Sequence, residues 1–332
     1  MSRQSVKLNS GYDMPLIGLG TWQAQPEEVK KAVDVALNVG YRHIDTAPGY
    51  QNEEAIGEAV EKWLQDTGHS REEIFLTTKL PSFFGESPED IEYFVNQSLR
   101  HLRTDYIDLY LIHMPFTFKS NADRNGPLKA EDDTLVHALT DHAQIWKKLE
   151  ELVKLKKLKS IGVSNFNGEQ LKRIFGLAEI KPAVNQIELH AAFQQNHMQT
   201  LCKDLGIQIT AYSPLGSPGV NTHFKNKYGF TKKIPNLISH PIVEDLAKKY
   251  NKTPAQILLR FLVQREIIVI PKSSNPARIE ENFQIFDFSL LPEDVERLKS
   301  IDQGEHGRII DFLFFKGVES HPEYPFVIPK EN

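Results

Sequence analysis

The chain alternates short apolar runs with longer amphipathic segments along most of its length. The short runs are rich in Ile, Val, Leu and Thr and are bounded by turns, as expected of parallel strands that are buried on both faces. They are LIGLGT (16–21), YRHID (41–45), IFLTTK (74–79), IDLYLIH (107–113), SIGVS (160–164), VNQIE (184–188), IQITAYS (207–213) and IIVIPKS (267–273). The pattern predicts eight strands joined by helices.

The segments between these runs carry apolar residues at helical spacing. In the segment after Pro26, for example, Val29, Val33 and Leu37 fall on one face. Residues suited to cap a helix precede the later segments: Asn52, Ser87, Asn167, Thr253, and Ser274 or Asn275. We interpret the apolar stripes as core-facing surfaces and assign them no other role.

Eight strands alternating with helices over 332 residues predict an α/β fold, a (β/α)₈ TIM barrel forming a single domain over 1–332. A doubly wound sheet would normally carry G-x-G-x-x-G after its first strand, and the third glycine is missing from Gly18-Leu19-Gly20-Thr21-Trp22-Gln23. The surplus length lies in 114–141, 214–240 and 303–332. We expect two long loops and a C-terminal tail over the catalytic face, with the tail (about 303–332) contributing to the substrate pocket.

Composition limits the partners and the compartment. The formal net charge of −5 and a pI near 6.2 argue against binding to nucleic acid or to an anionic membrane. The single cysteine, Cys202, fits a reducing compartment and is interpreted as a small buried hydrophobe. The N-terminus lacks a signal-peptide pattern, and no apolar stretch is long enough to span a bilayer. We therefore expect a cytoplasmic protein.

Polar residues stand at the ends of the predicted strands. In a TIM barrel the carboxyl ends of all strands open on one face, where catalysis takes place. The residues expected there are Asp45, Lys79, His113, Ser164, Asn165, Gln186, Glu188, Tyr212, Ser213, Lys272 and Ser273. This grouping predicts an active site at the mouth of the barrel.

Asp45, Lys79 and Tyr50 suggest a specific chemistry. Asp45 and Lys79 end adjacent strands and can form a buried ion pair, and Tyr50 lies in the loop after Asp45. A tyrosine has a pKa near ~10, and a neighbouring cation lowers it by stabilising the phenolate. The sequence therefore predicts Tyr50 as a general acid whose pKa is lowered by Lys79, with His113 steering the substrate oxygen toward it.

The segment IPKSSNPARIEEN (270–282) combines a helix start with two cations. Ser274 or Asn275 can cap a helix whose free N–H groups point outward. Lys272 precedes the turn and Arg278 lies in the first helical turns, so the segment predicts a phosphate site after the last strand. The alternative is an ordinary capped helix with solvated charges.

Six segments together resemble the aldo-keto reductase family. They are GYRHIDTAPGYQNEEAIG (40–57), TTKL (77–80), LIHMP (111–115), SIGVSNF (160–166), AYSPLGS (211–217) and IPKSSNPARIEEN (270–282). They follow the family's order over nearly the whole chain and look closest to its aldehyde, aldose and xylose reductase branch. The resemblance implies a TIM barrel that uses NADPH, in preference to NADH, to reduce an aldehyde or ketone to an alcohol.

The resemblance also implies residue roles. Tyr50, Lys79, Asp45 and His113 match the catalytic residues, and no metal is implied. The residues matching the cofactor site are Thr21, Trp22, Asp45, Ser164, Asn165, Gln186, Tyr212, Ser213, Leu215, Ser217, Lys272, Ser273, Ser274, Arg278, Glu281 and Asn282. Among these, the residues from Ser164 to Tyr212 would hold the nicotinamide, and those from Ser213 to Ser217 would close over the pyrophosphate. The remainder from Lys272 onward would bind the adenosine 2′-phosphate and the adenine.

Departures from the family pattern concern the substrate. Met114 follows His113 where related reductases usually have Trp, which makes one pocket wall softer and smaller. The predicted pocket consists of Trp22, Tyr50, His113, Met114, Phe83 and Phe84. We expect a moderately bulky apolar carbonyl compound as the substrate, and the resemblance implies a monomer.

Two other functions stay open at this point. A metal-dependent hydrolase would take its ligands from His43, Asp45, His113, Glu188 and His190. Strand alternation places His43 about two residues deeper than Asp45, and Lys79 would add a positive charge beside the metal. A non-catalytic NADPH-binding sensor or structural protein of the same fold often loses part of the catalytic set, whereas all four positions are filled here.

Overall fold

The computed structural model describes residues 4–84 and 87–327. Its strands are β1 (Ser5–Lys7), β2 (Asp13–Pro15), β3 (Leu19–Gly20), β4 (His43–Asp45), β5 (Phe75–Leu80), β6 (Ile107–Ile112), β7 (Leu158–Ser164), β8 (Val184–Glu188), β9 (Gln208–Tyr212) and β10 (Ile268–Val269). β3 to β10 form one parallel sheet in chain order.

The sheet closes on itself. Ile17, just before β3, forms a parallel bridge to Val269 in β10, and Gly20 in β3 forms one to Lys272, just after β10. The Gly18 amide donates to the Val269 carbonyl at 2.9 Å. The predicted TIM barrel is confirmed, and each of the eight predicted runs contains or overlaps one of its strands.

Eleven α-helices occur in the described residues. They are α1 (Pro26–Val39), α2 (Glu53–Thr67), α3 (Pro88–His101), α4 (His142–Lys154), α5 (Gly168–Leu177), α6 (Asn196–Asp204), α7 (Val220–Tyr228), α8 (Pro241–Tyr250), α9 (Pro254–Val263), α10 (Pro276–Phe283) and α11 (Pro292–Lys299). Among these residues, no helix combines the length and apolarity needed to cross a membrane. Cys202 is buried in α6, as predicted, and burial raises the pKa of its thiol to about 12.

The predicted capping residues fall into two groups. Asn167, Thr253 and Asn275 each accept a hydrogen bond from a backbone N–H in the first turn of their helix. Asn52 and Ser87 precede α2 and α3 as predicted, but neither side chain caps its helix. The Asn52 amide instead donates to the carbonyls of Thr21 and Ala24, at 3.0 and 3.2 Å.

The sequence interpretation missed some short elements, among them β1, β2 and α7. β1 and β2 form an antiparallel hairpin that buries Val6 and Met14. The segment 214–240, expected as a loop, contains α7. Three-residue strands and a nine-residue helix are too short to give a clear periodic signal.

The three surplus segments pack together over one end of the barrel. We call their shared apolar core the mouth cluster; it consists of Met114, Phe116, Phe118, Leu135, Val220, Phe224, Ile309, Ile310, Phe312 and Val318. Trp22 and Tyr212 pack against it, and Met114 and Tyr212 lie at or just after strand carboxyl ends. The surplus segments therefore cover the end at which the polar strand-end residues gather.

Candidate active site

Asp45 and Lys79 form a fully buried ion pair at the carboxyl ends of β4 and β5. Lys79 Nζ lies 2.7 Å from Asp45 Oδ1 and also donates to the Thr46 carbonyl at 2.8 Å. The second carboxylate oxygen of Asp45 accepts from Gln186 Nε2 at 2.7 Å. A buried ion pair is tolerated only when its remaining polar atoms are satisfied, and this one meets that condition.

Tyr50 lies beside this pair at the end of a short 3₁₀ helix, Pro48–Tyr50. Lys79 Nζ donates to the Tyr50 hydroxyl at 3.4 Å and lies 5.0 Å from the ring centroid. Because the hydroxyl oxygen accepts from Lys79, its own proton is directed elsewhere. Among the described residues, no acceptor for that proton is found.

The direction of the Tyr50 pKa shift is opposite to the one expected from the sequence. Burial raises the pKa of Tyr50 well above its ordinary value, and the Asp45 carboxylate adds to the rise. The net lowering expected from the sequence is not found, because burial disfavours the charged phenolate and the Asp45 carboxylate beside Lys79 adds to the rise in the pKa. The phenol is therefore protonated at neutral pH.

His113 faces Tyr50 from the end of β6. The two rings meet edge to face, with centroids 5.8 Å apart, and both side chains are half-buried. Burial, together with the charge of Lys79, holds the pKa of His113 well below its ordinary value. The imidazole is therefore neutral at pH 7 and has one N–H to donate.

The residues predicted to hold the nicotinamide form a connected network. Tyr212 donates its hydroxyl proton to Asn165 Oδ1 at 2.8 Å, and Asn165 Nδ2 donates to the His113 carbonyl at 2.9 Å. Ser164 Oγ donates to the Gln186 carbonyl at 2.9 Å, and Gln186 reaches Asp45 as described above. The structure thus brings these four residues together beside Tyr50 and Lys79.

Backbone strain occurs in the same region. Asn165, Ser213 and Ser217 have φ of 63°, 53° and 44°, in the left-handed region that non-glycine residues seldom adopt. Ser217 Oγ donates to Ser213 Oγ at 2.7 Å, and Leu215 between them packs on the barrel core. Such strain concentrates at functional sites. It had no sequence signal, because none of the three is a glycine.

The predicted phosphate site lies at the start of α10. Asn275, rather than Ser274, is the N-cap and accepts from the Arg278 amide at 3.1 Å. Lys272 and Arg278 are exposed, and within the described residues neither has a carboxylate within ion-pair distance. Ser273 Oγ accepts from the Asn275 amide at 3.1 Å.

The two residues predicted at the adenine end lie further along α10. Glu281 accepts a hydrogen bond from Thr253 Oγ1 at 2.8 Å and is half-buried. Asn282 is buried, with 4% of its surface exposed. Glu281 is therefore engaged with the start of α9 and Asn282 is largely enclosed, so the exposed part of this site is the turn carrying Lys272 and Arg278.

The predicted substrate-pocket residues divide into two sets. Met114 belongs to the mouth cluster and Trp22 packs against it. Met114 also lies beside the His113 backbone, since Asn165 Nδ2 donates to both the His113 carbonyl and the Met114 sulfur. Phe83 and Phe84 pack with the main barrel core instead, and the Phe83 ring meets Phe94 of α3 edge to face at 6.0 Å. Phe84 is buried, so the structure does not bring these two phenylalanines into the aromatic group at the mouth.

Of the residues considered for a metal site, Glu188 Oε1 and His190 Nε2 lie 3.0 Å apart, but no third ligand joins them in the described part of the chain. In residues 4–84 and 87–327 no three His, Cys, Asp or Glu side chains are grouped as metal ligands would be. His43 lies deep in the barrel, where its Nε2 meets Thr77 Oγ1 at 3.1 Å, and burial lowers its pKa to about 3. Glu188 is engaged by the backbone of Ile309 and Ile310, at 2.7 Å each. These placements argue against the metal-dependent hydrolase.

Asn52 is a site residue that the sequence interpretation missed. It bridges the loop after β3, through the Thr21 carbonyl, to Thr46, whose hydroxyl donates to Asn52 Oδ1 at 2.8 Å. Thr21 Oγ1 in turn donates to the Asp45 carbonyl at 2.8 Å. The sequence predicts a helix cap for Asn52, because Asn is common in that role before an apolar stripe. Nothing in the local sequence indicates its contact with the loop after β3.

Comparisons with known proteins agree with this geometry. The sequence model described as the Aldo/keto reductase family matches residues 16–303. The chain is 41% identical to aldo-keto reductase family 1 member A1 of Gallus gallus over 330 residues, covering 98% of each chain. It is 41% identical to the Homo sapiens protein of the same name over 338 residues, covering 99% of this chain and 100% of that one.

A solved structure gives the same result. The aldose reductase from Schistosoma japonicum superposes with a TM-score of 0.87 at 40% identity, covering 98% of this chain and 99% of that one. Since the sequence relatives and the structural neighbour each span almost the entire chain, the match is to the whole barrel and not to one motif. The chain belongs to the aldo/keto reductase family, and it is an oxidoreductase that acts on carbonyl compounds.

Proposed function

We propose that this protein reduces aldehydes and ketones to alcohols with NADPH, and that Tyr50 donates the proton. The observation that carries the proposal is the hydrogen bond from Lys79 to the Tyr50 hydroxyl oxygen. That bond leaves the hydroxyl proton without a protein acceptor in the described residues, so it can be donated to a substrate oxygen. Because burial raises the pKa of Tyr50, the general acid depends on the neighbouring Lys79 ammonium to stabilise the phenolate left behind.

The proton leaves Tyr50 as the carbonyl oxygen gains negative charge. The phenolate that forms lies beside the Lys79 ammonium, which stabilises it. Asp45 and Gln186 hold Lys79 in place through the 2.7 Å contacts that satisfy both carboxylate oxygens. By stabilising the phenolate, Lys79 offsets part of the rise in the Tyr50 pKa that burial causes, so Tyr50 is a stronger acid than an equally buried phenol without this neighbour.

His113 orients the substrate in this proposal. Its neutral imidazole donates one N–H to the carbonyl oxygen, and its edge-to-face contact with Tyr50 sets the two donors side by side. Two donors directed at one oxygen stabilise the charge that develops there.

The cofactor site fits NADPH in the chemistry of its donors. Lys272, Arg278 and the N–H groups at the start of α10 supply cations and donors for a phosphate, and the side-chain oxygens of Ser164, Asn165 and Gln186 suit a carboxamide. Members of this family generally use NAD(P)H; the exposed pair Lys272 and Arg278 favours the phosphorylated form. When bound, the nicotinamide supplies the hydride that reduces the carbonyl carbon.

The substrate and the setting are also proposals. The mouth cluster, Trp22 and Met114 suit a moderately bulky apolar carbonyl compound. The acidic balance of the chain argues against a nucleic-acid partner, and one buried cysteine suits the reducing cytoplasm. We propose that the protein works there as a single-domain monomer.

The substitution Tyr50→Phe tests the proton donor. We expect turnover of an aromatic aldehyde to fall by roughly 10²–10⁴-fold, the contribution of a positioned general acid. NADPH binding, followed by fluorescence titration, should be unchanged because the ring remains. Tyr110→Phe is the matched control, since it removes a buried hydroxyl that has no partner in the described residues. Full turnover by Tyr50→Phe would refute the assigned role.

A further inference from the structure

Glu188 ends β8, the strand that also carries Gln186. Side chains two residues apart on a strand lie on the same face, so both point toward the mouth of the barrel. Gln186 reaches the catalytic side of the mouth through Asp45, at 2.7 Å. Glu188 reaches residues 309 and 310 of the tail, on the opposite side of the same region.

Both oxygens of Glu188 are used in these contacts. Oε1 accepts from the Ile309 amide at 2.7 Å and lies 3.0 Å from His190 Nε2, and Oε2 accepts from the Ile310 amide at 2.7 Å. Only 1% of Glu188 is exposed. A carboxylate buried to this degree requires all of its partners, so its hydrogen bonds fix the backbone that donates to it.

The backbone held in this way begins the aromatic part of the tail. Ile309 and Ile310 belong to the mouth cluster, and Phe312 follows with a φ of 62°. The Phe312 ring lies 6.2 Å from Phe116 and 5.8 Å from Phe314, centroid to centroid. Phe312 and Phe314, which we call the tail wall, lie two and four residues beyond Ile310. Their position therefore depends on the backbone that Glu188 holds.

We propose that Glu188 is a positioning residue that sets the size of the substrate pocket by clamping the root of the tail. It acts through the backbone of Ile309 and Ile310, which donates to both of its carboxylate oxygens. The inference rests on the proposed function in one respect, that the tail wall borders the carbonyl substrate. β8 therefore orders two parts of the site. Gln186 holds the Asp45–Lys79 ion pair, and Glu188 holds the tail wall.

The test is Glu188→Gln, which keeps the shape but turns one acceptor into a donor that faces a backbone N–H. We expect KM for a bulky aromatic ketone to rise by about tenfold, as for one lost buried hydrogen bond. The value of kcat, KM for a short aliphatic aldehyde and the Kd for NADPH should stay unchanged. Glu319→Gln, an exposed carboxylate of the tail, is the matched control and should change none of these values.

Ile310→Pro removes one of the same hydrogen bonds from the donor side and leaves Glu188 and β8 unaltered in sequence, and Ile310→Val, which keeps the backbone N–H, controls for the altered side chain. Ile310→Pro should reproduce the KM rise for the bulky ketone, and in both Glu188→Gln and Ile310→Pro amide hydrogen exchange should accelerate over 309–327 but not in β4 to β9. An unchanged ratio of the two KM values, or a loss of kcat with both substrates, would overturn the proposal. If the wild type reduces no carbonyl compound, the proposed function fails, and unaltered exchange over 309–327 would then overturn the clamp independently.

Discussion

Lys79 is the residue of the site whose burial costs most free energy, because its charged ammonium is fully removed from water. Burial lowers its pKa, and the neighbouring Asp45 carboxylate at 2.7 Å opposes that shift. The pair keeps a positive charge beside Tyr50 in a region that would otherwise exclude it. The folded protein holds the Lys79 ammonium in place before the reaction. In the proposed mechanism this charge stabilises the Tyr50 phenolate when it forms.

His113 yields a prediction about pH. Its pKa is held well below the ordinary value of about 6.5, so its imidazole stays neutral as the pH falls through that value. Activity that needs the neutral ring is therefore present above the lowered pKa and is lost only as the pH falls through it. Plots of kcat/KM from pH 5 to 8 should show no inflection near 6.5, with circular dichroism confirming that the protein stays folded. An inflection there that disappears in His113→Gln would contradict a neutral His113.

At the scale of elements, the helices of the barrel tolerate a side chain at some glycines and not at others. A Cβ at Gly57 in α2 would lie 2.2 Å from the His101 carbonyl oxygen, at the end of α3. At Gly176 in α5, nothing lies within 4 Å of the corresponding position. Gly57 therefore permits the close approach of α2 to the end of α3.

Gly57→Ala and Gly176→Ala form a matched pair that tests this packing. We expect Gly57→Ala to lower the free energy of unfolding by about 1–3 kcal/mol, because the clash is with backbone that cannot rotate away. Gly176→Ala should raise it by up to about 1 kcal/mol through helix propensity alone. Urea unfolding measures both changes. Equal effects of the two substitutions would contradict the account of the α2–α3 contact.

The elements that could be predicted from sequence are those with a strong local signal. The eight barrel strands are apolar runs bounded by turns, and the helices that follow Asn167 and Thr253 begin with capping boxes. The β1–β2 hairpin and α7 are short, and their stability comes from tertiary contacts such as the burial of Met14 and Phe224. Such contacts join distant parts of the chain and leave no periodic pattern.

The site shows the same division at the residue level. Asp45, Lys79 and His113 could be placed because strand ends converge in a barrel, whatever the loops do. The upward shift of the Tyr50 pKa, the bridge made by Asn52 and the packing of Phe83 and Phe84 on the main barrel core depend on burial and on loop conformation. Those quantities are set by the assembled mouth and cannot be read from the spacing of residues.

At the scale of the whole molecule, one closed barrel carries two apolar cores. The main core lies in the barrel and beneath its helices, and the mouth cluster joins the three segments that exceed the basic barrel. In the proposed mechanism this division separates proton donation from specificity, because the Asp45–Lys79 ion pair is fixed by β4, β5 and β8 while loops and tail supply the substrate walls. Under that proposal, substrate preference can change without disturbing Tyr50.

We propose that this protein transfers hydride from NADPH to a carbonyl carbon, a step that can be followed with an isotope. The most direct measurement uses NADPH deuterated at the transferred position, together with an aromatic aldehyde, and analyses the product by mass spectrometry. We expect one deuterium per molecule of alcohol, bound to the former carbonyl carbon, and slower reaction with NADH because Lys272 and Arg278 then lack their phosphate. Saturable NADPH binding without consumption, over a broad panel of aldehydes and ketones, would contradict this proposal and favour a non-catalytic sensor of the same fold.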